Sequence, residues 1–346
     1  MKTRFRTGWL NYAILLTVIF AALAVACAVG SVSLSLTDSI KLILSKIPFV
    51  NNFVDVSGIS EAHGIIVFKL RMPRAITALL VGGALSICGA ALQGLFQNPL
   101  TDAGILGVSS GASLGVGVAA TFTFGSTVMG VSVTTLFAFA GASGSVFLVY
   151  YLARIHGKTS VISLILSGTA ISTFASSMLT AMMVLNLNTL ERIFTWTMGS
   201  LSASNWRNLS LSFPIIFIGS LLLIFRSREL DIMLLGQEEA RHVGINVDKF
   251  RREIMIVSAL TCAAAISMTG VIGFVGLMIP HMLRTFTGPG HKKLLPMSFL
   301  CGGLFLLVVD TLARVVAHPR EVPVGIITGI LGVPFFIYLL RKRGLR

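Results

Sequence analysis

The chain has 346 residues, 27 Lys and Arg against 13 Asp and Glu, and a formal net charge of +14. Its hydrophobic fraction is 55% and its charged fraction only 12%, about half of what a soluble domain carries. That composition excludes an ordinary cytosolic enzyme, a disordered chain and a secreted disulfide scaffold, and leaves a polytopic membrane protein whose natural unit is the bilayer-crossing apolar run of about 20 residues.

Lys2, Arg4 and Arg6 precede an apolar run from Leu10 to Gly30 that ends Ala24-Val25-Ala26-Cys27-Ala28, resembling a signal-peptide cleavage region. A signal core has about 7–15 residues, and this run has about 20, so it reads as an uncleaved first transmembrane helix. An external segment, 31–70, separates it from runs at 75–96, 104–122, 130–152, 160–186 and 209–226. A polar stretch at 227–252 follows, then an apolar block at 253–287 and runs at 296–316 and 323–341. The block is too long for one helix and carries Gly270, Gly273 and Gly276; split near Gly270, it brings the total to ten spans in a single transmembrane domain, 1–346.

Ten spans with a cytoplasmic start place 18 of the 27 Lys and Arg inside, including Lys2, Arg4, Arg6, Arg341, Lys342, Arg343 and Arg346. This is the bias expected of cytoplasmic loops, so both termini are expected in the cytoplasm. The basic excess is thus mainly a topology signal, and no basic face suits nucleic acid. Cys27, Cys88, Cys262 and Cys301 lie singly in apolar runs and read as small buried thiols. Small residues recur every four positions at Gly107, Gly111 and Gly115, at Gly82, Ser86, Ala90 and Gly94, and at Gly325 and Gly329. Such ridges let helices in lipid approach closely.

No catalytic constellation is present. His63, His156, His242, His281, His291 and His318 are dispersed, without metal-binding spacing, and Gly157-Lys158-Thr159 lacks the upstream Gly of a phosphate loop, Leu152 standing there instead. Ion-coupled carriers need ionisable groups within the membrane. Only Asp310 lies well inside a run, and Arg314 four residues later should pair with it. The fifth span carries a hydroxylic face, Thr169, Ser172, Thr173, Ser176 and Thr180, which suits either helix–helix hydrogen bonding or a wet wall of a translocation path. The stretch Leu235-Gly236-Gln237-Glu238-Glu239-Ala240-Arg241-His242-Val243-Gly244 reads as a short cytoplasmic helix ending at Gly244, suited to docking a soluble partner.

Several stretches in order resemble one family: Arg71-Met72-Pro73-Arg74, Gly89-Ala90-Ala91-Leu92-Gln93, Gln97-Asn98-Pro99-Leu100-Thr101-Asp102, the segments 104–112, 196–201 and 235–244, Gly273-Phe274-Val275-Gly276-Leu277, Pro280-His281-Met282-Leu283-Arg284, Asp310 with Arg314, and Glu321-Val322-Pro323-Val324-Gly325. Together they resemble the FecCD-type permeases, the transmembrane subunits of binding-protein-dependent ABC importers for iron-siderophores, haem and vitamin B12. The resemblance implies an all-α fold with type II ABC importer permease architecture. It implies a permease dimer (homo- or heterodimer), an ABC ATPase dimer that uses the ATP and Mg, and a substrate-binding protein outside. The chain itself would bind no cofactor or metal, would sit multi-pass among the lipid of a bacterial cytoplasmic membrane, and would carry a ferric siderophore, with haem or cobalamin as alternatives. It also implies a coupling segment at 231–250, docking of the binding protein on Arg71, Arg74 and Arg314, for which snorkelling is the alternative, and a path lined by the Thr169–Thr180 face.

Overall fold

Inside a bilayer no water meets an unpaired backbone group, so apolar runs of this length close their hydrogen bonds as helices. The structure, a computed structural model, describes residues 9–30, 32, 34–46, 48–122, 127–128, 131–155, 158–317 and 319–344. Lys2, Arg4, Arg6, His156, Gly157, His318 and Arg346 lie outside the described residues.

In chain order the helices are α1 (Trp9–Ala28), α2 (Leu36–Leu44), α3 (Glu61–Leu95), α4 (Val108–Phe122), α5 (Val133–Ala153), α6 (Val161–Leu185) and α7 (Leu187–Thr197). They continue as α8 (Trp206–Phe225), α9 (Ser227–Met233), α10 (Gln237–His242), α11 (Val247–Thr269), α12 (Val275–Thr287), α13 (His291–Ala313) and α14 (Val324–Gly344). Two antiparallel ladders of two residues each, Thr127–Val128 with Val131–Ser132 and Arg154–Ile155 with Lys158–Thr159, close the loops on either side of α5. The class is all-α.

Among the described residues, seven helices, α1, α3, α5, α6, α8, α11 and α13, are long and apolar enough to cross a membrane. The split near Gly270 is present: α11 ends at Thr269 and α12 begins at Val275, with Gly270 at φ 74°. At 13 residues α12 is about 20 Å long, well short of a hydrocarbon core of about 30 Å. Helix α3 begins at Glu61, within the stretch 31–70 that separates the first two apolar runs.

Six residues of α3, Ile66–Arg71, form a π turn just before Pro73. Proline has no N–H to close the ladder behind it, a standard cause of such turns. The carbonyl of Phe68 instead accepts from the Trp206 indole of α8 at 2.7 Å. The same defect recurs at Pro280 in α12, which leaves the Gly276 carbonyl without its helical donor. The Gln93 amide of α3 donates to that carbonyl at 3.1 Å, so a polar side chain on the central helix repairs its neighbour.

Helix α3 is the centre of the bundle: 89% of its apolar window is buried, against 17% for α1 and for α6. The seam with α13 is built on small residues. A Cβ on Gly82 would overlap the Gly302 carbonyl, and one on Gly302 would overlap Ser86. Gly89 faces the Gly276 carbonyl of α12 in the same way, and Gly111 and Gly115 of α4 abut Gly141 and Phe137 of α5. Gly325 packs on Met198, whereas Gly329 has open space around its missing Cβ, so the third small ridge is only half used within the chain.

Two glycine replacements should therefore separate cleanly. Gly89→Ala drives a methyl into backbone and should destabilise the detergent-purified chain by about 1–3 kcal/mol. Gly329→Ala, with nothing within 4 Å, should leave the melting temperature unchanged or slightly raised; equal melting of both variants would contradict the packing described.

Candidate functional site

Three regions carry the polar chemistry. The first is the segment 231–250. Gly236, at φ 128°, makes a turn that other residues adopt at a cost, and α10 follows with Glu238 and Glu239 in its first turn and Arg241 and His242 in its last. That charge order complements the helix dipole. The helix ends in a Schellman arrangement: the Ile245 N–H donates to the Ala240 carbonyl and the Gly244 N–H to that of Arg241, both at 2.9 Å, with Gly244 at φ 88°. Only Ala240 of α10 is buried, while Leu235 is 74% and Val243 67% exposed. Arg241 bonds Glu238 at 2.7 Å. At the base, Arg226 bonds Glu253 at 2.8 Å and Glu229 at 2.9 Å, and these bonds hold its pKa above the ordinary value. The result is a preformed knob that presents apolar and charged side chains outward.

The second region lies at the opposite end of α3 and α13. Asp310 has no exposed surface. Arg74 meets it with Nε at 3.0 Å and Nη2 at 2.9 Å, and Arg314 meets its other oxygen through Nε at 3.0 Å and through Nη2. Arg74 also bonds Glu321 at 2.8 Å. The remaining donors cap α1: Arg314 Nη1 reaches the Ala26 carbonyl at 3.0 Å, and Arg71 Nη1 reaches those of Cys27 at 2.9 Å and Ala28 at 2.7 Å. These are the orphan carbonyls of a helix C-terminus, where a positive charge is also favoured by the dipole. The expected Asp310–Arg314 pair is present, and the three arginines named for docking, Arg71, Arg74 and Arg314, stand together at this end of the bundle. Arg71, Arg74 and Arg314 are 6%, 9% and 6% exposed, because their donors are taken up by internal carboxylates and carbonyls.

The third region is the hydroxylic face of α6. Ser172, Thr173, Ser176 and Thr180, joined by Ser177, line an open groove of about 570 Å³. Thr169 and Thr180 return their hydroxyls to the carbonyls of Ile165 and Ser176 at 2.9 Å, and Ser172 accepts from Ser110 of α4 at 3.1 Å. The face thus serves packing at Ser172 and lies open at Thr173 and Ser176. Ser177 continues it and was readable at the same helical spacing. Among the described residues, no group of three or more His, Cys, Asp or Glu is placed to hold a metal ion.

The model of the FecCD transport family matches residues 14–342. The chain belongs to that family. It is 42% identical over 289 residues to the cobalamin import system permease protein BtuC of Halobacterium salinarum, covering 84% of this chain and 77% of that protein. It is 36% identical over 341 residues to the Fe(3+)-citrate import system permease protein YfmD of Bacillus subtilis, covering 99% and 97%. A metal-chelate type ABC transporter solved in an inward-facing conformation superposes with a TM-score of 0.81 at 30% identity, over 96% of this chain and 99% of that one.

This FecCD chain is thus an ABC transporter permease, and its three polar regions fall at two ends of one helix bundle and on one flank. The buried cluster should dominate its stability. Asp310→Ala leaves two buried guanidinium groups without their carboxylate and should destabilise the purified permease by about 3–5 kcal/mol. Glu321→Gln, at a side chain 45% exposed, should cost under about 1 kcal/mol. Thermal unfolding in detergent measures both, and equal losses would refute a hierarchy set by burial.

Proposed function

We propose that this chain is the transmembrane subunit of an importer that passes a ferric siderophore from a substrate-binding protein into the cytoplasm. The observation that carries the reading is the preformed, exposed α10, at the end of α3 and α13 opposite the buried charge cluster. One end offers a rigid element to a soluble ATPase; the other meets the binding protein. The chain crosses the cytoplasmic membrane ten times, with α4, α12 and α14 completing the seven longer spans, and both termini lie in the cytoplasm. A second permease copy faces α6, and the groove along Thr173, Ser176, Ser177 and Thr180 becomes part of the path. ATP and Mg are used by the ATPase dimer, not by this chain, which supplies two packings for its partners to bias.

Docking of an acidic binding protein draws on the excess charge of the cluster, three guanidinium groups against two carboxylates, rather than on free arginine side chains. Residues Leu235 to Gly244 meet the ATPase, with Glu239 and Arg241 as exposed polar contacts.

A second reading, cobalamin as cargo, is favoured by the 42% identity to the Halobacterium cobalamin permease. Proteoliposomes holding the permease, its ATPase and its binding protein, offered iron-labelled siderophore, haem and labelled cobalamin in parallel, decide among these cargoes. Uptake of the siderophore alone is expected; saturable uptake of cobalamin alone would replace the cargo. In the same vesicles Glu239→Ala and Arg241→Ala should each lower uptake about fivefold with binding-protein affinity unchanged. Uptake independent of ATP would remove the importer reading.

A further inference from the structure

Helix α10 buries only Ala240 and joins the bundle through α9 before it and α11 after it; besides the Arg226 bonds to Glu229 and Glu253, two side chains tie α9 to the region of α3 and α13. Asp231 of α9 accepts from the backbone N–H of His291, the first residue of α13, at 2.7 Å. That N–H is an orphan donor at a helix start, and Gly290 in the N-cap position supplies no side chain to meet it. The same oxygen lies 2.7 Å from His291 Nδ1. The His291 ring is fully buried, and its far edge lies where a Cβ on Gly94 of α3 would stand. Two residues after Asp231, the carbonyl of Met233, the last residue of α9, accepts from the Gln97 amide, just beyond α3. Gln97 holds φ 51°, a left-handed conformation that a residue with a side chain adopts at a cost. Each bond caps one helix with a side chain from another, and both converge on the α3–α13 seam.

We propose that Asp231 and Gln97 are positioning residues for energy coupling: they transmit displacement of α10 to α3 and α13. Without them α10 keeps its chain connection to α11 but loses these direct ties to α3 and α13. This inference rests on α10 being the ATPase-coupling element.

The test uses the complete transporter (permease, ATPase and binding protein) in proteoliposomes, with ATP hydrolysis and cargo uptake read in the same vesicles. Asp231→Ala should lower uptake per ATP hydrolysed about fivefold or more, with hydrolysis itself within about twofold of wild type. Asp231→Asn, whose Oδ1 still accepts from His291, should restore the wild-type ratio, and Gln97→Ala should show the same loss as Asp231→Ala. An unchanged ratio in Asp231→Ala, or uptake and hydrolysis falling in proportion in both alanine variants, would overturn the proposal. If Asp231→Ala fails to reach the membrane, the ratio in Gln97→Ala decides alone. Wild-type uptake indifferent to ATP would instead overturn the importer reading and this inference with it, an outcome visible before any variant is compared.

Discussion

The Asp310 carboxylate, fully buried near the end of α13, is tolerable only because two guanidinium groups meet it, Arg74 from α3 and Arg314 one turn further on. Removing either partner would leave charge in a medium that cannot solvate it. The two arginines are in turn held in place, and Arg314, with Arg71 beside it, closes the last carbonyls of α1. One acid therefore fixes the relation of three helices: α13 through the backbone, α3 through Arg74, and α1 through the capped carbonyls. Since α1 is barely covered by the rest of the chain, this polar attachment matters more to its position than apolar packing does.

The same two helices carry the consequence across the bundle. Helices α3 and α13 run antiparallel, with Arg74 and Asp310 at one end and Gln97 and His291 at the other. From His291 to Asp310 the separation along an ideal helix is about 29 Å, close to the hydrocarbon thickness. The seam between them is glycine against backbone at Gly82, Gly302 and Gly303, and such a contact cannot slide without a clash. The pair therefore behaves as one rigid strut. Helix α12 joins it through Gly89 on Gly276 and through the Gln93 bond to the carbonyl freed by Pro280.

Much of this was legible in the sequence, for local reasons. The break near Gly270, the helix ending at Gly244, the hydroxylic stripe of α6 and the Asp310–Arg314 pair all follow from spacings of a few residues, where helical geometry fixes the neighbours. What escaped is long-range. Arg74 lies 236 positions from Asp310 and Asp231 lies 60 from His291, and no periodicity connects them. The bonding of the three arginines escaped for the same reason: at a helix end a guanidinium can snorkel, dock or cap, and only the folded position of α1 shows that Arg71 caps its carbonyls. Helix α10 was readable as a helix, but the attachment of the preceding α9 through Asp231 and Gln97 required knowing which helices meet beneath it.

A transporter needs a seam that slides as well as seams that do not, and side-chain size distinguishes them. Within the strut, and between α4 and α5 at Gly111, Gly115 and Gly141, backbones touch and allow one arrangement. Between α5 and α11 the contact is different: Phe147 and Tyr150 face Met255, Ile256 and Leu260 around a small cleft whose lining is completed by Ser143, Val146 and Ala259. Long and aromatic side chains can re-pack there through rotamer changes, and methionine does so with least loss. The open hydroxylic groove lies on α6, which packs on α4 and α5, so movement at this seam would carry the groove relative to the strut. The strut ends at α9 on one side and at the arginine cluster on the other. A displacement entering at α9 would therefore leave α3 and α13 intact and express itself where the large side chains meet, next to the helices that carry the groove.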